Sequence, residues 1–238
     1  MTAAKIASPV KFGTSGWRGL IADDFTFASV RLAVTAIAEH INAKWAKAKG
    51  GKGAKANAPT VLVGYDTRFY SEEFSQLAVE ILQQNKIRTL LCETFTPTPA
   101  IAFEIIRRKL DGAINFTASH NPAQYHGLKF SSSDAGPALP EVTKDIEARV
   151  VKMIEKDGPF SKAARTGTHS VKDGTGETVN LRETYLKRIE ELVRFDVLRN
   201  AKAKFVVDVL HGCGAGYLDR ALTDHGVNLT ELSRRHTL

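Results

Sequence analysis

The residues richest in chemistry in this 238-residue chain stand between Asp111 and Phe130. Asp111-Gly-Ala-Ile-Asn-Phe-Thr-Ala-Ser-His-Asn-Pro122 begins as a short apolar run, Ala113 to Phe116, that fits a buried strand. It then breaks into Thr117, Ser119, His120, Asn121 and Pro122. The proline biases Asn121 away from helical backbone, so the chain turns just after a hydroxyl and an imidazole. A second extended run, Gly127 to Phe130, carries Lys129 back beside that turn. A hydroxyl nucleophile, a titratable ring and an ammonium are thereby predicted at one strand end. The same residues also describe a capped turn, in which Ser and Asn bond their own backbone and His120 faces water. A serine hydrolase is disfavoured, because Ser119 and His120 are sequence neighbours and no G-x-S-x-G elbow is present.

A second stretch suits an anion. Phe12-Gly-Thr-Ser-Gly-Trp-Arg-Gly19 sets three glycines and the hydroxyls of Thr14 and Ser15 around Trp17 and Arg18. Glycines such as Gly16 let backbone N–H groups approach a phosphate closely, and Arg18 adds a planar fork that matches it. The alternative is a glycine-rich hairpin with a surface arginine. Asp66-Thr-Arg68 closes another predicted strand, where α/β sheets gather their sites, and a surface ion pair is the alternative there. Asp23-Asp24 reads as a helix start rather than a metal pair. Gly212, Gly214 and Gly216 have the wrong spacing for a dinucleotide fingerprint, and Gly50 to Lys55 lacks the strand and hydroxyl of a phosphate loop.

The elements that position these groups alternate. A helix is predicted from Phe25 to Lys47, with Val30, Val34, Ile37, Ile41 and Trp45 in one stripe. Strand Val61–Tyr65, helix Glu72–Gln84 and strand Ile87–Leu91 follow. The next helix opens with Thr98 as cap and Pro99 at the first helical position. A further helix, Glu141–Lys156, precedes a Gly/Lys/Ser/Thr-rich segment, 157–178, that reads as a linker. The first domain is then 1–156, and a smaller unit, 179–238, follows. That unit is read as a helix Asn180–Leu198 striped by Tyr185, Ile189, Leu192 and Val193, then a strand, a glycine-rich turn into a helix, and a last strand. Such alternation is an α/β layout. The unit is thin for an independent domain, so an incomplete one is expected.

Composition, at 43% hydrophobic and 25% charged residues, is that of a soluble globular protein. The net charge of +7 suits an anionic partner. The lysines at 44, 47, 49, 52 and 55 lack the interleaved aromatics of a single-strand-binding platform, so nucleic acid is not expected. Cys92 and Cys213 have no metal or redox spacing and read as reduced thiols. The first ten residues hold no signal-peptide core, and no stretch approaches the roughly 20 apolar residues that span a bilayer. A cytoplasmic protein without membrane contacts is expected.

Thr117-Ala-Ser-His-Asn-Pro122 resembles the phosphoserine loop of the α-D-phosphohexomutases (phosphoglucomutase and phosphomannomutase), and Phe12–Gly19 resembles that family's N-terminal signature. The resemblance runs from about Lys11 to about Leu232, the front half of a typical member. It implies a three-layer α/β/α domain with a mixed sheet, followed by part of a second, similar α/β domain. It implies interconversion of hexose 1- and 6-phosphates through phosphorylated Ser119 and a bisphosphate, with glucose 1,6-bisphosphate as activator. Lys129, with Arg18 beside it, becomes the candidate proton carrier, and His120 the alternative. Thr14, Ser15, Gly16, Arg18 and Asn121 become phosphate-binding candidates, and Asp66 and Arg68 support for the serine loop. Phe12 to Phe27 favours glucose phosphate, with mannose phosphate the alternative, and the oligomeric state is not legible. The family's Mg²⁺ is held by a phosphoserine oxygen, here Ser119, and by an Asp-Gly-Asp-x-Asp-Arg loop. Asp111-Gly112 and Asp173-Gly174 lack the further aspartates, and Leu218-Asp219-Arg220 lacks the first two. A hard dication needs several oxygen ligands. Little or no turnover is therefore expected of these residues alone, and a non-catalytic phosphosugar-binding remnant is the competing reading.

Overall fold

A computed structural model describes residues 8–13, 16–48, 58–158, 176–201 and 203–232. Apolar runs that are buried on both faces become the middle of a mixed sheet, as in other sheets covered by helices on two sides. Its strands are β1 (Phe12–Gly13), β2 (Gly16–Leu20), β3 (Thr60–Tyr65), β4 (Arg88–Cys92), β5 (Gly112–Phe116), β6 (Tyr125–Ser132) and β7 (Glu177–Val179). The order across the sheet is β1-β2-β6-β5-β3-β4-β7. β5, β3, β4 and β7 run parallel, while β6, β2 and β1 pair antiparallel.

Crossover handedness sets the layers. Helix α2 (Ser71–Gln84) carries the chain from β3 to β4, and α3 (Thr98–Arg108) returns it across β3 to β5. Opposite directions of travel with one hand of crossover put the two helices on opposite faces. α1 (Phe27–Ala48) packs on α2 and on α4 (Pro140–Asp157), so those three form one layer. The α1 stripe is as the spacing predicts: Val30, Val34, Ile37 and Ile41 are buried, with Trp45 half-buried at its end.

Three local expectations are corrected. Asp23 and Asp24 lie outside the first turn of α1. That helix is capped by Thr26 and Ser29, whose hydroxyl oxygens each accept the other's backbone N–H, at 2.9 and 3.1 Å. Thr98 makes no cap bond; its hydroxyl oxygen accepts from Asn115 Nδ2 at 3.1 Å instead. The glycine-rich N-terminal stretch pairs antiparallel with itself, β1 on β2, in keeping with the hairpin alternative, and β2 completes its ladder against β6 with Trp17 buried and stacked on Phe25 at 4.5 Å. The long helix expected over Asn180–Leu198 is two, α5 (Arg182–Leu192) and α6 (Phe195–Asn200). Val193 is extended between them, which turns Phe195 inward and leaves Leu192 and Val193 exposed.

Beyond β7 a parallel pair, β8 (Phe205–Asp208) and β9 (Leu229–Leu232), stands with α7 (Leu218–Thr223) around a second core of Phe195, Val207, Ala221, Leu222 and Val227. Among the described residues no helix is long and apolar enough to cross a membrane.

Candidate active site

The chain leaves β5 at Phe116 and must reverse into β6 within eight residues, which exposes backbone carbonyls that no ladder satisfies. Local bonds start the reversal. Ser119 N–H donates to Thr117 Oγ1 at 2.9 Å, Asn121 N–H to Ala118 O at 3.1 Å and Tyr125 N–H to Pro122 O at 3.0 Å. Ser119 takes left-handed backbone, φ 58°, and it and His120 are exposed.

Arg68 finishes the turn. Its Nη1 donates to the carbonyls of Pro122 (2.9 Å) and Tyr125 (3.0 Å), and its Nη2 to those of Ser119 (2.9 Å) and Asn121 (2.5 Å). A planar guanidinium suits this fork of acceptors where a lysine would not. The side chain is 12% exposed, so the surface ion pair is not what it makes; its Nε stands 3.4 Å from Asp66 Oδ2. Asp66 Oδ1 accepts the Arg68 backbone N–H at 3.0 Å.

The antiparallel register of β2, β6 and β5 delivers the cations. Arg18 pairs with Gly127 and Lys129 with Asn115. Arg18 Nη1 donates to Asn121 Oδ1. Gly16 holds φ 109°, and a Cβ there would lie 2.6 Å from Leu128 O and 2.9 Å from Lys129 Cγ, so glycine leaves room for the lysine stem. Lys129 is half-buried. Burial first, and then the Arg18 charge, lower its pKa below the ordinary lysine value, with Asp66 and Cys213 acting the other way. His120 Nδ1 is 3.5 Å from Ser119 Oγ, at the limit of a hydrogen bond. Thr14 and Ser15 lie outside the described residues.

Ser119, His120, Asn121, Arg68 and Lys129 line one cleft of about 630 Å³. The turn Leu210–Cys213 after β8 also lines it, a segment to which the sequence assigned no role in the site. The structure therefore brings together Ser119, His120, Asn121, Arg18 and Lys129 from three separate stretches. The resemblance named Arg68 as support for the serine loop without the means, and His126 was not singled out. The four-carbonyl grip of Arg68 has no sequence signature. His126, fully buried, falls on the inward positions of the alternation His126, Leu128, Phe130, a signal that was present.

Magnesium is a separate question. Ser119 offers one hydroxyl, and the nearby Asp66 already accepts two bonds on Oδ1, from Arg68 N–H and from Ser71 Oγ. Among the described residues no group of three His, Cys, Asp or Glu side chains could hold a metal. This donor set does not fit a dication that takes about six oxygens.

Comparison with known proteins agrees with the architecture. The family model for the phosphoglucomutase/phosphomannomutase alpha/beta/alpha domain I matches residues 9–157. A phosphoglucomutase of Staphylococcus epidermidis is 29% identical over 182 residues, 73% of this chain and 31% of the relative. That of Staphylococcus saprophyticus is 27% identical over 223 residues, 90% of this chain and 37% of its own. The crystal structure of a Thermus thermophilus protein assigned as a phosphomannomutase superposes with a TM-score of 0.79 at 29% identity, over 98% of this chain and 47% of that one. The chain thus spans about a third of the length of these curated relatives and just under half of the solved structure. With residues 9–157 matching its first domain, the chain belongs to the phosphoglucomutase/phosphomannomutase family.

Proposed function

We propose that this chain carries the phosphoserine half of a phosphohexomutase, acting on glucose phosphate, with mannose phosphate the alternative substrate. The observation that carries the reading is one exposed hydroxyl, Ser119, held in a cleft with Lys129 and next to Arg18, the two cations coming from separate strands. In the forward step a sugar hydroxyl oxygen bonds to the phosphorus carried on Ser119 as the Ser119 Oγ–P bond breaks. The hydroxyl proton leaves to the amine of Lys129 and returns to the serine oxygen, a passage that His120 is also near enough to serve. The bisphosphate then turns over, and its other phosphoryl group goes back to Ser119 by the same exchange. A phosphate carries about −1.5 to −2 at neutral pH, and Arg18 and Lys129 offset that charge.

In the same reading, residues 1–156 form the phosphoserine domain, the expected linker 157–178 is shortened because β7 (Glu177–Val179) adds to that domain's sheet, and the unit beyond β7 closes the cleft over the serine. A reducing cytoplasm belongs to the same proposal, and the free thiols of Cys92 and Cys213 are compatible with it. Because the donor set around Ser119 does not fit Mg²⁺, these 238 residues alone turn substrate over slowly or not at all. The test is incubation of the chain with glucose 1,6-bisphosphate and Mg²⁺, followed by mass spectrometry. One phosphoryl group on Ser119, absent in Ser119→Ala, is expected. Sugar-phosphate binding without uptake would replace this reading with a phosphosugar-binding module.

A further inference from the structure

Beneath the serine loop runs a line of buried polar groups that the transfer step does not use. Ser71 Oγ donates to Asp66 Oδ1 at 3.0 Å and lies 3.1 Å from His126 Nε2. Gly127 N–H donates to His126 Nδ1 at 2.8 Å. Ser71 is 1% exposed and His126 0%. Ser71 has one proton and two partners. Since that proton goes to Asp66, the imidazole must donate through Nε2, which agrees with Nδ1 accepting from Gly127. The ring is held in plane by Phe25, stacked at 4.9 Å, and by the edge contact with Phe74 at 5.1 Å. Burial pushes its pKa down to about 4, so the neutral tautomer persists at neutral pH. The trio is no nucleophilic triad, because the hydroxyl is sealed from solvent and stands between the other two groups.

We propose that Ser71 and His126 are positioning residues for the phosphoryl-bearing loop. They orient the Asp66 carboxylate, Asp66 orients Arg68, and Arg68 holds the carbonyls of Ser119, Asn121, Pro122 and Tyr125. The catalytic consequence rests on the reading of Ser119 given above, whereas the loop geometry does not.

Amide hydrogen exchange of residues 118–125 in Ser71→Ala, set against Ser75→Ala, tests this. Ser75 is equally buried in the same helix, and its hydroxyl donates locally to Glu72 O at 2.7 Å. Loss of the buried link in Ser71→Ala is expected to speed loop exchange about tenfold while β5 amides stay protected. Ser75→Ala should leave the loop at the native rate, and Ser71→Thr should restore it. Equal loop exchange in the two alanine variants would overturn the proposal. Should Ser71→Ala fail to fold, Ser71→Cys, a weak donor of similar size, decides by the same comparison. Phosphoryl uptake at Ser119, followed in the same variants, should slow in parallel. A native chain that takes up no phosphoryl group overturns the functional reading, and exchange then decides the positioning role by itself.

Discussion

A serine in left-handed backbone is strained by roughly 1–2 kcal/mol relative to its ordinary regions, and Ser119 at φ 58° is such a residue. Thr117 and Arg68 hold it there, with the hydroxyl outward. Glycine adopts that backbone freely, so Ser119→Gly should leave thermal stability unchanged or raise it by up to about 1 kcal/mol while abolishing phosphoryl uptake. A clear drop in melting temperature would mean that the side chain, rather than the backbone shape, holds the loop. Lys129 gives a prediction in pH. Burial and then the Arg18 charge depress its pKa, so Arg18→Ala should move that pKa back toward 10.5, as read by NMR titration of its ε-carbon. If its neutral amine is the base, the rising limb of uptake against pH shifts upward in the same variant. The sign for stability follows. The unfolded lysine binds its proton more tightly, so stability gains as pH climbs from the folded pKa toward 10.5.

Between elements, the close approach of β2, β6 and the serine loop depends on Gly127. A Cβ there would stand 2.5 Å from Thr117 O and 2.9 Å from Trp17 O, both backbone atoms that cannot move aside singly. Gly127→Ala should cost about 3 kcal/mol in denaturant unfolding and break the 2.9 Å bond from Thr117 N–H to Gly127 O. His126 beside it adds an acid limb. With its pKa pushed by burial from 6.5 to about 4, protons bind the unfolded chain first. Stability should therefore fall by about 3 kcal/mol as pH drops through that window, at ~1.4 kcal/mol per pH unit. A His126→Gln variant lacking this limb, by denaturation at pH 7 and pH 4.5, is the check. The strands on either side were legible because Ala113–Phe116 and Val61–Tyr65 are apolar runs whose neighbours in sequence decide their state. The place of β2 inside the sheet was not, since its glycine-rich residues have weak strand preference and are ordered by β6, more than a hundred positions away. The Arg68 grip was hidden for a related reason. Its acceptors are carbonyls 51 to 57 residues distant, and a carbonyl leaves no mark on residue type.

At the scale of the molecule the described residues form two cores of unequal size, and the cleft is lined from both sides. The smaller has five buried apolar side chains and leaves Val206 62% and Leu210 78% exposed, so it opens at lower free energy than the sheet around β3 and β5. One joint between them is Glu104. Fully buried, it accepts from Arg107 (2.7 and 2.8 Å), Arg108 (2.6 Å) and Thr184 Oγ1 of α5 (3.0 Å). Burial raises its pKa, but those bonds more than offset it and hold the carboxyl below its usual value. Cys213 reports on the opening. It sits in the wall that the smaller core contributes, and burial pushes its thiol up to about 11, so the native form is a poor nucleophile at pH 8. Alkylation by iodoacetamide is then slow at the half-buried thiol and faster in the open state. Glu104→Gln weakens the charge-assisted bonds by about 1–2 kcal/mol and should speed Cys213 alkylation up to about tenfold. Cys92, in the larger core and pushed up to about 12, should stay unreactive in both proteins. Equal acceleration at the two thiols would show that the substitution loosens the whole chain. Acceleration at Cys213 alone places the hinge of the cleft at Glu104.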